Sequence, residues 1–509
     1  MSRKLKAIKW INYSSRQRMS PFPNYLSMES ISNEMKKVIG FAYREIPLVY
    51  QHNLQTVFID EEDYKIGGKY VLTKVQDDPD LFKKLSAEIK TLGERFINLL
   101  EQIMEDELQF STSEELAEWF ITYAKYYKQI YSRYFPILTV ETQLSDKLRG
   151  VIAKRKLSIE ESSVLFTCLT NQPEAMVNLQ EDVSRLLIIE RIIDRPIWMN
   201  IFLGTIEDCR KMLDTDPQLI DCLQLIKAHQ SAYYWVTRDY EDPILTEDDV
   251  INKIHHDIQE NTIENLRLKR AMVQDNPHKI AEAEQFLQLT NQEKKLFEAM
   301  RDGMYNKEQR KTIVSKSLYH FDKVLYEVEH RTNIPVRLIR FMKVDEPLSA
   351  LNGQDMRELL EERFKLSVWL PASKATTRVL IEKEAQQWEK MLFGLIKNTT
   401  ELKGTPISRG FVTGTAKIMM NPDEGSKIVA GDIIVTVQAV PSFSLAISRA
   451  AGIVADGGTG LTSHTATLAR EFKIPGITGL KIATKIIKDG DIIEVNGDTG
   501  VLRIVKKLK

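Results

Sequence analysis

Histidine is scarce in this chain, eight in 509 residues, and one of the eight sits where its chemistry is easiest to use. His464 lies in the segment GIVADGGTGLTSHTATLAREFKIPGITG, Gly452 to Gly479. The pattern predicts a strand, a glycine-rich loop and a helix whose first turn contains the imidazole. A loop free of side chains brings its N–H groups close to an anion, and a helix start adds unpaired N–H groups and the positive end of a dipole. No Asp or Glu occurs between Asp456 and Glu471, although a first helical turn usually favours carboxylates. Gly460 supplies bare backbone, Thr462, Ser463 and Thr465 supply hydroxyls for capping or for phosphoryl oxygens, and Arg470 follows on the same helix. A helix N-terminus disfavours the protonated imidazole, so His464 stays neutral and nucleophilic, while a phosphorylated product gains from the same dipole. These residues predict covalent catalysis, one transfer split into two half-reactions.

Two blander readings share the residues. On helical spacing His464 lies over Leu468, beside Leu461, Thr465 and Phe472, a setting that also suits a hydrogen-bonded histidine at the edge of a core. A nucleotide loop fits poorly, because GTGLTS at 458–463 lacks the third glycine of GxGxxG and no GxxxxGKS or GxxxxGKT run occurs.

The elements around this segment divide the chain. From about Asp80 to Asn398 glycine is rare and long amphipathic patterns dominate, whereas from Gly404 glycines recur among short β-branched runs. The expectation is a multidomain chain: a mixed segment over 1–75, a large mainly α-helical domain over 76–396, a linker at 397–406 (KNTTELKGTP) and an α/β domain over 407–509. In the first segment VFIDEEDYKIGGKYVLTKV suggests a hairpin turning at Gly67 and Gly68. Helices are expected over Leu81 to Met104, through VSRLLIIERIIDR and over Lys316 to His330, the last stopping before Pro335. In the last domain strands are expected at Gly414–Met419, Ile433–Val437, Gly452–Ala455, Ile492–Val495 and Val501–Val505, with helices near Phe443–Ala450 and Ser463–Phe472.

Composition excludes more than it names. With 43% hydrophobic and 28% charged residues and a net charge of −1, nothing pulls the chain toward nucleic acid or an anionic membrane. Cys168, Cys209 and Cys222 form no CxxC pair and fall in helical stretches, so neither a disulfide framework nor a zinc site is expected and a reducing cytoplasm fits. No apolar run approaches a membrane span and the basic N-terminus leads into no apolar export core.

The segment resembles the phosphohistidine signature of the phosphoenolpyruvate-utilising family, which includes phosphoenolpyruvate synthase, pyruvate phosphate dikinase, enzyme I of the sugar phosphotransferase system, rifampin phosphotransferase and phenylphosphate synthase. Gly460, Thr462, Ser463, His464, Ala466, Ala469, Arg470, Glu471, Ile474, Pro475 and Gly479 carry the resemblance, preceded by the run Gly431–Val435 and by Pro441. The resemblance implies a swivelling β/β/α domain in which His464 is phosphorylated, with Arg470 as a phosphoryl contact. A solvated arginine paired with a carboxylate explains Arg470 equally well. The implied activity is that of a dikinase-like phosphotransferase component. No stretch before the helical region reads as an ATP-grasp domain, so ATP and magnesium are expected on a separate ATP-grasp partner, and a small-molecule acceptor on the helical domain. No barrel for pyruvate follows the last strand, so pyruvate chemistry is not expected.

The helical region also resembles the middle domain of the rifampin phosphotransferase and phosphoenolpyruvate synthase type, on AHQSAYYWVTRDYEDPILTEDDVINKI from Ala228 and FMKVDEPLSALNGQDMRELLEERFKLSVW from Phe341. Trp198, Tyr233, Tyr234 and Trp235 could line its acceptor pocket, although aromatics at helical spacing favour core. One departure stands out: the family's Gly-Gly pair appears as Gly457-Gly458-Thr459-Gly460, one residue longer. That loop motivates an alternative, a catalytically inactive regulatory or docking protein that keeps the swivelling domain.

Overall fold

The computed structural model describes residues 8–17, 20–52, 54–103, 105–172, 176–238, 243–371, 377–393, 400–439, 443–457 and 463–508. A large helical region is followed by an α/β region, as the glycine distribution predicts. Long helices over Leu81–Glu101, Ser113–Ala153 and Asn291–Thr332 form the body. Two of them open on reciprocal caps, Thr112 with Glu115 and Thr290 with Glu293, which satisfy N–H groups that the first turn leaves unpaired. The helix Asn291–Thr332 ends at Asn333, left-handed at φ 53°, two residues before Pro335. Small residues let the helices close up: a Cβ at Gly303 would sit 2.4 Å from Ile137 Cδ1.

A five-stranded antiparallel sheet flanks the body: β1 (Trp10–Gln17), β2 (Leu48–Gln51), β3 (Leu54–Asp60), β4 (Ser367–Leu370) and β5 (Arg378–Leu380), in the order β1-β3-β2-β4-β5. Strands from the first 60 residues therefore share a sheet with strands from 367–380. The hairpin expected at Gly67 and Gly68 is corrected to a helix, Glu61–Asp77. Asp60 caps it by accepting from the Glu62 N–H at 2.9 Å, and Glu61, Glu62 and Asp63 complement its dipole. The two glycines serve packing, because a Cβ at Gly67 would lie 3.1 Å from Thr139 Cγ2 and one at Gly68 2.2 Å from Gln143 Nε2, both on the helix Ser113–Ala153.

Between these elements, residues from Val177 to Leu266 bury a core of their own, including Leu186, Ile189, Phe202, Ile226 and Ile254. The C-terminal region is an eight-stranded mixed sheet of β6 (Glu401–Lys403), β7 (Thr405–Ser408), β8 (Phe411–Ile418), β9 (Asp432–Thr436), β10 (Gly452–Ala455), β11 (Gly476–Thr478), β12 (Ile492–Asn496) and β13 (Val501–Lys506), in the order β6-β13-β12-β8-β9-β10-β11-β7. β8, β9, β10 and β11 run parallel. Alternation along β9 splits two cores, with Ile433 and Val435 on one face and Ile434 on the other, beneath Ala466 and Ala469 of the helix His464–Glu471. β6 and the first two residues of β7 fall within the stretch expected to be linker, the strands pairing with β13 and β11, and Gly404 between them lies where a Cβ would meet Thr478 O at 2.3 Å. Residues 397–399 of that stretch lie outside the described residues. Among the described residues no helix is long and apolar enough to cross a membrane.

Candidate active site

β10 delivers the chain to Asp456 and Gly457, and the helix His464–Glu471 begins seven residues later than Gly457. Ser463 is its N-cap, extended at φ −65° and ψ 154°, and Ser463 Oγ accepts from the Ala466 N–H at 3.3 Å. The first turn holds no acidic residue, so nothing competes with an anion for the remaining N–H groups. Gly460, Thr462 and the side chain of His464 lie outside the described residues. Thr465 is fully buried, and its Oγ1 accepts from the Ala439 N–H at 3.0 Å, so this hydroxyl ties the helix to the segment after β9. Arg470 is exposed in the last turn, where a cation suits the dipole.

Asp456, at the carboxyl end of β10, is a site residue that motif reading passes over. Its buried carboxylate accepts from the Ala483 and Thr484 N–H groups and from Thr484 Oγ1, capping the short helix Ala483–Ile486. Burial pushes this carboxyl up to about 6, against the hydrogen bonds from Thr484 and Ala483 and the charge of Lys485.

The α/β region sits against the first sheet. Asn12 Nδ2 donates to Lys481 O at 2.6 Å, and a Cβ at Gly457 would be 3.0 Å from Ser15 O. Lys485 reaches across to the helix Glu382–Phe393, with Nζ 3.7 Å from the Phe393 ring centroid and 3.9 Å from Glu389 Oε1, and donates to Gln51 Oε1 at 3.4 Å.

A cavity of about 640 Å³ lies at this junction, bounded by Ser463, Gly457 and Asp456 on one side and by β1 and the helices Ser113–Ala153 and Asn291–Thr332 on the other. Its polar wall includes Glu141, Arg149, Lys307 and Arg310. Lys307 Nζ is 2.6 Å from Glu141 Oε1, and the Arg310 guanidinium lies 4.8 Å above the Tyr134 ring. Motif reading does not find these residues, although the aromatic-rich run YYKQIYSRYF at 126–135 marks the helix that carries one wall. Trp198, Tyr233, Tyr234 and Trp235 do not border this cavity. They belong to the separate core of residues 177–266, where Trp198 borders another cleft beside Arg191 and Arg195. Among the described residues no group of three or more His, Cys, Asp or Glu could hold a metal ion.

β10 and the short, serine-capped, acid-free helix His464–Glu471 both belong to the α/β domain. Residues 428–500 match the PEP-utilising enzyme mobile domain, and such a domain is present in this chain. The chain is 38% identical across 130 residues to a probable phosphoenolpyruvate synthase of Archaeoglobus fulgidus, covering 25% of this chain and 17% of that protein. It is 37% identical across 112 residues to an uncharacterised phosphotransferase of Bacillus subtilis, covering 22% of this chain and 13% of that protein. It is 39% identical across 104 residues to a rifampicin phosphotransferase of Streptomyces sviceus, covering 20% of this chain and 12% of that protein. The matches thus span less than a fifth of these relatives.

Proposed function

We propose that the chain is a dikinase-like phosphotransferase component in which His464 carries a phosphoryl group from an ATP-grasp partner to a small-molecule acceptor on the helical domain. The observation that supports this most is the helix opening at His464, free of acid and capped by Ser463, which borders a cavity shared with the helical body. In this reading the N–H groups around Gly460 and His464, with the hydroxyls of Thr462 and Ser463, cradle the phosphoryl oxygens. Thr465 holds the helix start from beneath, and Arg470 adds positive charge. ATP and magnesium are bound by the partner. Homology of the mobile domain to those of named phosphotransferases supports the transfer chemistry. The three free thiols suit a cytoplasmic setting.

The test is intact-mass spectrometry of the protein incubated with its ATP-grasp partner and ATP. One acid-labile phosphoryl group is expected on the wild type and none on His464→Ala. A wild type that stays unlabelled with every nucleotide and phosphoenolpyruvate donor overturns the carrier reading and leaves the mobile domain as a docking module.

A further inference from the structure

We infer that Lys481 is a phosphoryl-binding residue of the mobile domain, a lysine whose ammonium group meets the phosphoryl oxygens carried on His464. The inference rests on the carrier reading of His464 and names a contact that the histidine segment itself does not contain.

Position comes first. β10 and β11 run parallel, side by side, and open α/β sheets bind ligands in the crevice outside the carboxyl ends of their strands. The connection after β10 leads to the helix that begins at His464, and the connection after β11 carries Lys481 at the same edge. Hydrogen bonds join the two connections. Thr478 Oγ1 and the Gly479 N–H both donate to Gly457 O, and the Lys481 N–H donates to Asp456 O at 3.0 Å. Lys481, Gly457 and Ser463 border one cavity.

The backbone supplies a second argument. Lys481 is left-handed, at φ 73°, a conformation that a Cβ makes unfavourable and that glycine enters freely. Lys156, Asn261, Gln288, Asn333 and Lys473 share it just beyond a helix end, where a left-handed residue satisfies the last carbonyls. Lys481 instead stands between a strand and the start of the next helix. A lysine held where glycine is at ease, at the edge where His464 sits, points to a use for its side chain.

Charge agrees. Glu61 is the carboxylate whose charge favours the Lys481 ammonium, and it is already bonded by Lys9 at 2.6 Å and by Lys65 at 2.8 Å. Among the described residues Lys481 forms no ion pair of its own. A cation in that state, beside a helix start without acid, suits a phosphoryl dianion. Both groups belong to the mobile domain, so the contact travels with the phosphoryl group.

The full-length protein can be charged with phosphoramidate, which phosphorylates histidine without a protein partner. The P–N bond of the reagent breaks, a P–N bond to the imidazole forms, and ammonia carries off the imidazole proton. With the reagent removed, phosphorus NMR follows the phosphohistidine signal that His464→Ala lacks as pH is varied. A neighbouring ammonium favours the dianion, so Lys481→Gly and Lys481→Gln are each expected to raise the midpoint of the second phosphoryl ionisation by about one pH unit. Glycine suits the left-handed backbone and glutamine keeps the stem, so the fold survives both. Lys481→Arg is expected to keep the wild-type midpoint, as is Lys473→Gly, which removes another left-handed lysine of the same domain. A midpoint unmoved in Lys481→Gly or Lys481→Gln, or an equal rise in Lys481→Arg or Lys473→Gly, overturns the inference. Failure of the carrier reading looks different, because the wild type would then show no phosphohistidine signal beyond that of His464→Ala.

Discussion

Thr465 Oγ1 accepts the backbone N–H of Ala439 at 3.0 Å, and both residues are fully buried. The bond fixes the first turn of the helix that begins at His464 against the segment leaving β9. Thr465→Val keeps the shape and removes the acceptor, so a buried donor is left unsatisfied at a cost of about 1–3 kcal/mol. Urea denaturation should show that loss, with Thr465→Ser falling between the two. A valine variant as stable as wild type would mean that the bond contributes nothing.

Asp456 makes stability depend on pH with a definite sign. Burial raises this carboxyl to about 6 in the folded protein, with the Thr484 and Ala483 hydrogen bonds opposing. A carboxyl raised by folding stabilises the fold while protonated. Its contribution is whole below the ordinary aspartate value and declines as pH rises through about 6, by about 1.4 kcal/mol per pH unit at most. The stability difference between wild type and Asp456→Asn should therefore shrink from about pH 4 to about pH 6 and level off above. A difference that is flat across that window would place the carboxyl in its ordinary range.

Lys485 holds the mobile domain against the body through the Phe393 ring, Glu389 and Gln51. A partly buried cation over an aromatic face is worth about 0.5–2 kcal/mol. Lys485→Ala should shift the population toward undocked states, seen as a larger radius of gyration in small-angle scattering. Phosphorylation of His464 by the partner should then quicken, and discharge to the acceptor should slow. Identical scattering curves would show that other contacts set the docked state.

Arg185 is enclosed by carboxylates, donating to Glu181, Asp182 and Asp257 at 2.6–2.9 Å. Burial opposes the charge on Glu181, and His229, Arg185 and Lys253 overcome that, lowering its carboxyl to about 2. Arg185→Met strands buried negative charge, and about 3–5 kcal/mol of stability should be lost near neutral pH. Because the Glu181 contribution is present above the ordinary glutamate value and fades as pH falls toward about 2, the penalty should shrink in acid. Calorimetry of the two proteins at neutral and acid pH reads both effects.

Local patterns were legible where local forces decide. The strand Gly452–Ala455 and the helix after Ser463 follow from a β-branched run and a serine cap, and both form as expected. β6, β7 and β11 were not legible, because ELK, TPIS and GIT hold no adjacent pair of apolar β-branched residues like Ile453 and Val454, and these strands exist through their partners. Gly67 and Gly68 misled for a related reason. A glycine pair marks a turn in isolation, yet here it makes room for Thr139 and Gln143 on another helix.

The sequence by itself determined the setting of His464, an acid-free helix start among glycines and hydroxyls, because those properties depend on neighbours along the chain. Only the tertiary structure decided what that helix faces. The cavity draws its wall from Asn12, Tyr64, Glu141, Lys307 and Ser463, positions spread from the first strand to the last domain. No local pattern joins them, and they meet because β1 and two long helices pack where the mobile domain docks.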